Sequence, residues 1–281
     1  MSWLEGVRRD AMLDVGLLNG QIGYVHSVFQ NVLNIELIER DRLIAVSTPR
    51  RPLAPDMVQL SDVLDFRSVA PDIGTRVVIG EGFTFENGLT VSLDAAPVDL
   101  HVKARPVDDA SVDELYEFLI TYGKEGGVLR PYRKRFEALS AGRWNTEERF
   151  IDQVMAEGKL DRLIGLGPGL TPAGDDYVTG RLLAAHLLGQ PLDVPLEMLR
   201  ISRDKTTRVS YQMLRHAYHG RTNEAVLDLF HSLTDLDALK RVLAIGSTSG
   251  TDFLVGVHAG IIAQRSGNRD SSNDREEEDV S

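Results

Sequence analysis

Asp175 and Asp176 stand side by side where a glycine-rich stretch, LIGLGPGLTPAGDDYVTGRLLAAHLLG (163–189), turns into an apolar pattern of helical period. Two adjacent carboxylates at the start of such a helix can hold Mg²⁺ beside a phosphate or act as a general base. Their other use is structural, since a negative charge at a helix N-terminus contributes about 0.3–1 kcal/mol with no ligand present. Gly165, Gly167, Gly169 and Gly174 permit positive φ and close backbone approach. Their amides, the helix end and the Thr171 hydroxyl make a phosphate or carboxylate the natural guest. Simple reversal of the chain is the competing use of a loop of this composition.

The octet AGDDYVTG at 173–180 recurs as SGTDFLVG at 249–256: a small residue, Gly, any residue, Asp, aromatic, aliphatic, any residue, Gly. The second copy follows Gly246, Ser247 and Thr248 and itself opens with Ser249 and Gly250, so both copies read as loop-to-helix junctions. Asp176 and Asp252 then occupy equivalent points of two helices whose N-termini converge on one pocket. The alternative is that Gly180 and Gly256 serve close helix packing and nothing more. Asp175, Asp176 and Asp252 are the candidate catalytic residues. Gly165, Gly167, Gly169, Thr171, Gly174, Ser247, Thr248, Ser249 and Gly250 are the candidate substrate-binding residues, joined by Thr207 and Ser210. Thr207, Ser210 and Tyr211 share one helical face, where helix capping is the commoner task of a hydroxyl. His216 and His219 lack a carboxylate at metalloprotease spacing and are read as ordinary histidines. No metal is assigned, with Mg²⁺ the candidate for the carboxylates. Arg130, Arg133, Lys134 and Arg135 form either a steering patch for an anion or a solvated face.

The elements that must position these residues divide by texture. From about 20 to 104, runs such as IGYVHSVFQNVLNIELIE, LIAVS, MVQL, RVVIG and LTVSLDAA are separated by Pro, Gly, Asp and Asn, which predicts short strands in a small barrel or sandwich. After Pro106 the pattern is helical, beginning with Ser111 and Glu114 as a capping box. Further helices are predicted over about 132–140, 146–157, 174–189, 195–219, 222–233, 235–244 and 250–265, with stops at Gly189, Gly220 and Gly246. The expected fold is α+β: a β-rich domain at 1–106, a helical domain at 107–265 and a disordered acidic tail at 266–281. The 281 residues carry 31 Lys+Arg against 42 Asp+Glu, a net charge of −11, which opposes general nucleic-acid binding. There is no cysteine, which removes thiolate chemistry and Cys-ligated zinc. Charged residues interrupt the first 18 residues where an export signal needs an apolar core. No run reaches the roughly 20 apolar residues of a membrane span. A cytoplasmic protein is expected.

On GLGPGLTPAGDDYVTG, STSGTDFLVG, TTRVSYQMLRHAYHG and, more loosely, GYVHSVFQNVLNI, the sequence resembles the AllH-like family of oxamate carbamoyltransferase subunits over about 20–265. The resemblance implies a component of a multi-subunit enzyme that interconverts oxalurate plus phosphate with oxamate plus carbamoyl phosphate, in purine or allantoin breakdown, with other enzyme subunits as partners. The acidic tail has no place in the family pattern. The residues suit that chemistry, because a carbamoyl phosphate calls for amide donors at a helix terminus and for stabilisation of developing negative charge. Two other functions are compatible with the same residues. One is a small-molecule phosphotransferase using an Asp at a glycine-rich helix start, and the other is a non-catalytic ligand-binding or assembly subunit. A cleft between the two domains is the expected location, by the general habit of ligand sites.

Overall fold

The computed structural model describes residues 3–134, 145–192 and 196–278, with side chains placed up to Arg265 except at 15, 196 and 197. Two compact units result, Met1–His101 with Thr222–Glu224, and Val102–Arg221 with Ala225–Ser281. The chain is α+β: strands make the first unit and helices the second.

In the first unit the strands are β1 (Trp3–Leu4), β2 (Gly6–Asp10), β3 (Ile22–Val28), β4 (Val32–Leu37), β5 (Arg42–Ser47), β6 (Met57–Leu60), β7 (Arg76–Ile79), β8 (Gly82–Phe85), β9 (Thr90–Ser92) and β10 (Ala96–Val98), with short helices α1 (Val15–Leu18) and α2 (Phe66–Val69). They form one sheet in the order β1-β9-β8-β7-β3-β4-β5-β6-β2-β10. Only Glu5 separates β1 from β2, yet β1 stands at one end of that order and β2 next to the other end, so the sheet must curl back on itself. The segment from Thr90 to Val98 runs parallel to this N-terminal segment, pairing Thr90 with Trp3 and Ala96 with Arg8. Alternation along β7 turns Val77 and Ile79 inward and Arg76 and Val78 outward. The inward set joins Leu33, Ile35, Ile44, Val58, Phe83 and Val91 in a core of its own. Arg8 pairs with Glu224, whose carboxylate also accepts the Leu53 amide at 3.1 Å.

The run from Ile22 to Glu39 is divided by a turn at Phe29–Asn31 into β3 and β4, which the sequence leaves joined. The charged turn Arg40-Asp41-Arg42, with Asp41 at φ 50, separates β4 from β5. β1, β2, β8 and β10 are strands that the sequence pattern does not mark.

The second unit contains α3 (Asp109–Tyr122), α4 (Leu129–Arg133), α5 (Thr146–Glu157), α6 (Ala173–Leu187), α7 (Leu196–Lys205), α8 (Arg208–Tyr218), α9 (Glu224–His231), α10 (Leu236–Leu243) and α11 (Ser249–Glu278). The N-cap of α3 is Asp108, whose carboxylate accepts the Ser111 amide at 2.7 Å, rather than Ser111 itself. The predicted helix over 195–219 is two helices, because Thr207 caps α8 and ends the continuity. The stops at Gly189, Gly220 and Gly246 are present, all with positive φ. Part of the helix expected at 132–140 lies outside the described residues. The backbone of α11 is helical through Glu278, while the expected tail from 266 onward lies outside the described side chains.

Helices α6 and α11 form the centre of this unit. Nearly every residue of α6 is buried, as is α11 from Gly250 to Ile261, the pattern of a helix covered on all sides. The two are in backbone contact. A Cβ on Gly180 would overlap the Phe253 carbonyl oxygen, and a Cβ on Gly256 would overlap the Tyr177 carbonyl oxygen. The pairing is reciprocal because the two octets are equivalent in space as well as in sequence. It extends upstream. Gly174 donates its amide to Leu166 O at 2.9 Å and would overlap Leu163 O if it carried a Cβ; Gly250 does the same with Ile245 O at 3.0 Å and with Val242 O. LDRLIGLG (160–167) and LKRVLAIG (239–246) therefore continue the repeat, with a loop three residues longer in the first copy.

Gly256→Ala is expected to cost about 3 kcal/mol or more, since the obstacle is backbone that cannot yield, and to lower Tm by about 6 °C or more. A Tm within about 1 °C of wild type in a thermal melt would show that the helices do not touch there.

Candidate functional site

One turn before each of the crossing glycines stands an aspartate, Asp176 before Gly180 and Asp252 before Gly256. Residues four apart lie on the same helical face, and side chains tilt toward the N-terminus. A crossing at the glycines therefore directs both carboxylates into the space where the two helix starts face each other. The hydroxyls of Thr171 and Ser249, one from each copy, meet there at 3.0 Å.

Asp176 is 4% exposed and Asp252 is fully buried. Each keeps one oxygen, Oδ2, that is buried without any hydrogen-bond partner. The other oxygen of Asp252 accepts the Val128 amide at 2.7 Å. Gly127 approaches so closely that a Cβ there would overlap Asp252 Oδ1. Burial pushes the Asp176 carboxyl up to about 8; the hydroxyls of Ser249 and Thr171 oppose this, and the charges of Asp252 and Asp175 add to it. Burial likewise raises Asp252 to about 6, against the Val128 amide and the Thr248 hydroxyl. Such a pair can hold a proton, accept N–H donors or coordinate a cation.

Asp175 does different work. Its carboxylate accepts the Gly165 amide at 2.7 Å, the Ser210 hydroxyl at 2.6 Å and the Thr206 hydroxyl. Burial raises this carboxyl too, opposed by those three donors. It ties the loop at Gly165 and the start of α8 to the start of α6, so it positions the site. The adjacent aspartates thus have different environments, one saturated with donors and one with an unpartnered oxygen.

The other candidates divide similarly. Thr171, Ser249 and Thr248 surround the carboxylate pair. Gly167 and Gly169 hold positive φ in the loop before α6, and Gly169 and Ser247 are exposed. The amides of Gly165, Gly174 and Gly250 donate internally, to Asp175, Leu166 and Ile245. Thr207 accepts the Ser210 amide at 3.1 Å and donates to Leu170 O, while Ser210 serves Asp175. Both hydroxyls have partners within the protein. Arg130 and Lys134 pair with Glu148 and Asp152 across α4 and α5, at 2.9 and 3.0 Å; Arg135 lies outside the described residues. His216 Nδ1 lies 3.5 Å from Arg221.

Three contributors went unmarked in the sequence. Thr206 binds Asp175, Val128 binds Asp252, and the backbone of Lys124 donates to Thr251 Oγ1 at 3.0 Å. The pair Gly126-Gly127, four residues past the end of α3, is the one available signal for the loop that covers the start of α11. A further buried titratable group is His258 on α11, pushed down to about 4 by burial with help from Arg265. Its Nδ1 lies 2.6 Å from the Tyr132 hydroxyl. No described helix is long and apolar enough to cross a membrane.

Two family models match the sequence. Oxamate carbamoyltransferase subunit AllH matches residues 163–261, from the glycine-rich loop through α11, and the AllH family N-terminal domain matches residues 8–98. No solved structure matches.

Asp175→Asn is expected to lower Tm at every pH, because it sets an amide against three donors. Asp176→Asn removes a buried charge instead. The raised Asp176 carboxyl means that the folded chain holds this proton more tightly than the unfolded chain, so its contribution to stability declines as pH rises from about 4 toward 8. The Tm of Asp176→Asn relative to wild type should therefore climb between about pH 5 and pH 8. A difference that does not change with pH would contradict the burial of an ionisable Asp176.

Proposed function

The chain belongs to the AllH family, and from that premise we propose that it is a subunit of an oxamate carbamoyltransferase that binds the reacting anion at the paired starts of α6 and α11. The reaction is transfer of a carbamoyl group between phosphate and oxamate, with carbamoyl phosphate on one side and oxalurate on the other. The observation that carries this reading is the meeting of two equivalent helix starts around two carboxylates, each with an uncommitted oxygen, beside the Thr171 and Ser249 hydroxyls. The site is built wholly from the second unit.

Carbamoyl transfer needs no nucleophilic side chain. The amide nitrogen of oxamate attacks the carbamoyl carbon, negative charge grows on the carbonyl oxygen, and the C–O bond to phosphate breaks as the nitrogen gives up a proton, which the departing phosphate takes up. In this reading the loop amides of Gly167 and Gly169 and the Thr171 and Ser249 hydroxyls hold the anionic end. Asp176 and Asp252 orient the reacting groups, each through the carboxylate oxygen that no protein donor occupies. Burial keeps water from competing with transfer. Partner subunits complete the enzyme. A phosphotransferase of the kind that opens a helix with Gly and Asp after a strand has less support, because the described residues of the second unit form helices and no strand.

The test is a carbamoyl-transfer assay with partner subunits added back. Asp176→Asn is expected to lower turnover by about 100-fold, the scale of reacting groups left misplaced. The exposed substitution Asp161→Asn should leave turnover unchanged. Full activity of Asp176→Asn would remove the site from the reaction, and stabilisation of the chain by ATP alone would favour the phosphotransferase.

A further inference from the structure

Two buried carboxylate oxygens, one on each central helix, accept no hydrogen bond from the protein. Around Asp175 every need is met by donors. Around Asp176 Oδ2 and Asp252 Oδ2 none is, although both residues are buried. Anion binding alone makes this worse, since a phosphate placed beside two carboxylates is repelled by both. A positive charge between them reverses the sign of each interaction.

We propose that Asp176 and Asp252 jointly bind one hard divalent cation of the Mg²⁺ class, which bridges the starts of α6 and α11 to the phosphate of the substrate. The proposal rests on the reading of the site given above and adds what makes the carboxylates and the anion compatible. The neighbouring donors are all oxygen: the hydroxyls of Thr171, Ser249 and Thr248 surround the pair. There is no cysteine, and the nearest histidine along α11, His258, has its Nδ1 engaged by Tyr132. An oxygen set suits Mg²⁺, Mn²⁺ or Ca²⁺ rather than zinc or copper. Among the described residues no group of three or more acidic or histidine side chains forms a cage. A cation here would share its shell among two carboxylates, hydroxyls, water and substrate, which is the habit of Mg²⁺ at phosphate sites. The sequence pairs Asp175 with Asp176 for such a role. The structure moves the partnership to Asp176 and Asp252, because both oxygens of Asp175 are taken.

Mn²⁺ is the probe. The purified full chain, stripped with chelator, is titrated with MnCl₂ while free Mn²⁺ is read by electron paramagnetic resonance, with MgCl₂ as competitor. One saturable site with Kd of about 1 mM or tighter is expected, displaced by Mg²⁺ and tightened by inorganic phosphate. Asp176→Asn and Asp252→Asn, each checked for a native melt, should weaken it by about tenfold or more, while Asp161→Asn should not. Wild-type chain without a saturable site, or binding in both Asn variants as tight as in wild type, overturns the proposal, and neither result depends on catalysis. If Mn²⁺ binds as expected but the reconstituted enzyme transfers no carbamoyl group, the cation site stands and the functional reading falls.

Discussion

Backbone contact between α6 and α11 is the constraint on which the rest depends. Two helices approach this closely only where both lack side chains, and the repeat supplies Gly180 and Gly256 at matching points. Everything distinctive about the site follows from that approach. One turn upstream the same faces carry Asp176 and Asp252, so carboxylates that would ordinarily reach solvent are buried where the charge of one acts on the other. The loops before the helices are then drawn together, which is why hydroxyls from residues as far apart in sequence as Thr171 and Ser249 meet. Close packing and convergence of the helix starts, which the sequence poses as alternatives, are one arrangement.

The surrounding structure stabilises what this arrangement destabilises. A buried carboxylate with an unmet oxygen is costly in the folded state. Asp175, with three donors, and Asp252 Oδ1, with the Val128 amide, are local compensations. The larger compensation is apolar: Tyr177, Val178, Leu182, Leu183, Leu254, Val255 and Val257 belong to one continuous core. A site with uncommitted polar atoms inside a well-packed helix pair is the expected mark of a place where function, and not stability, selects the residues.

How much of this was legible depended on how local the signal was. The α+β division, the strand at Met57–Leu60, the helix at Thr146–Glu157 and the glycine stops were readable because turn residues and periodicity act within a few positions. β2 was not, since GVRRD carries no apolar alternation and is held by distant partners: Asp10 by the Asp56 amide, Arg8 by Glu224. The split between α7 and α8 was hidden because Thr207 looks like any helical hydroxyl until Ser210 bonds to it. At the site, the equivalence of Asp176 and Asp252 was visible as a repeated octet. The differing tasks of Asp175 and Asp176 were not, because neighbouring residues on a helix point in different directions and only the fold says what each one meets. Nor did the sequence indicate that the Gly174 and Gly250 amides are tied to carbonyls upstream.

The central claim is that Asp176 and Asp252 form a single electrostatic unit, and a double-mutant cycle measures that directly. Unfolding free energies of wild type, Asp176→Asn, Asp252→Asn and the double variant, taken at pH about 8 without divalent ions, give the coupling between them. Two mutually repelling buried carboxylates should show a non-additive term of about 0.5 kcal/mol or more, because relieving one charge relieves the other. Effects that add within about 0.3 kcal/mol would mean that the two carboxylates do not sense each other, and the shared site would not exist.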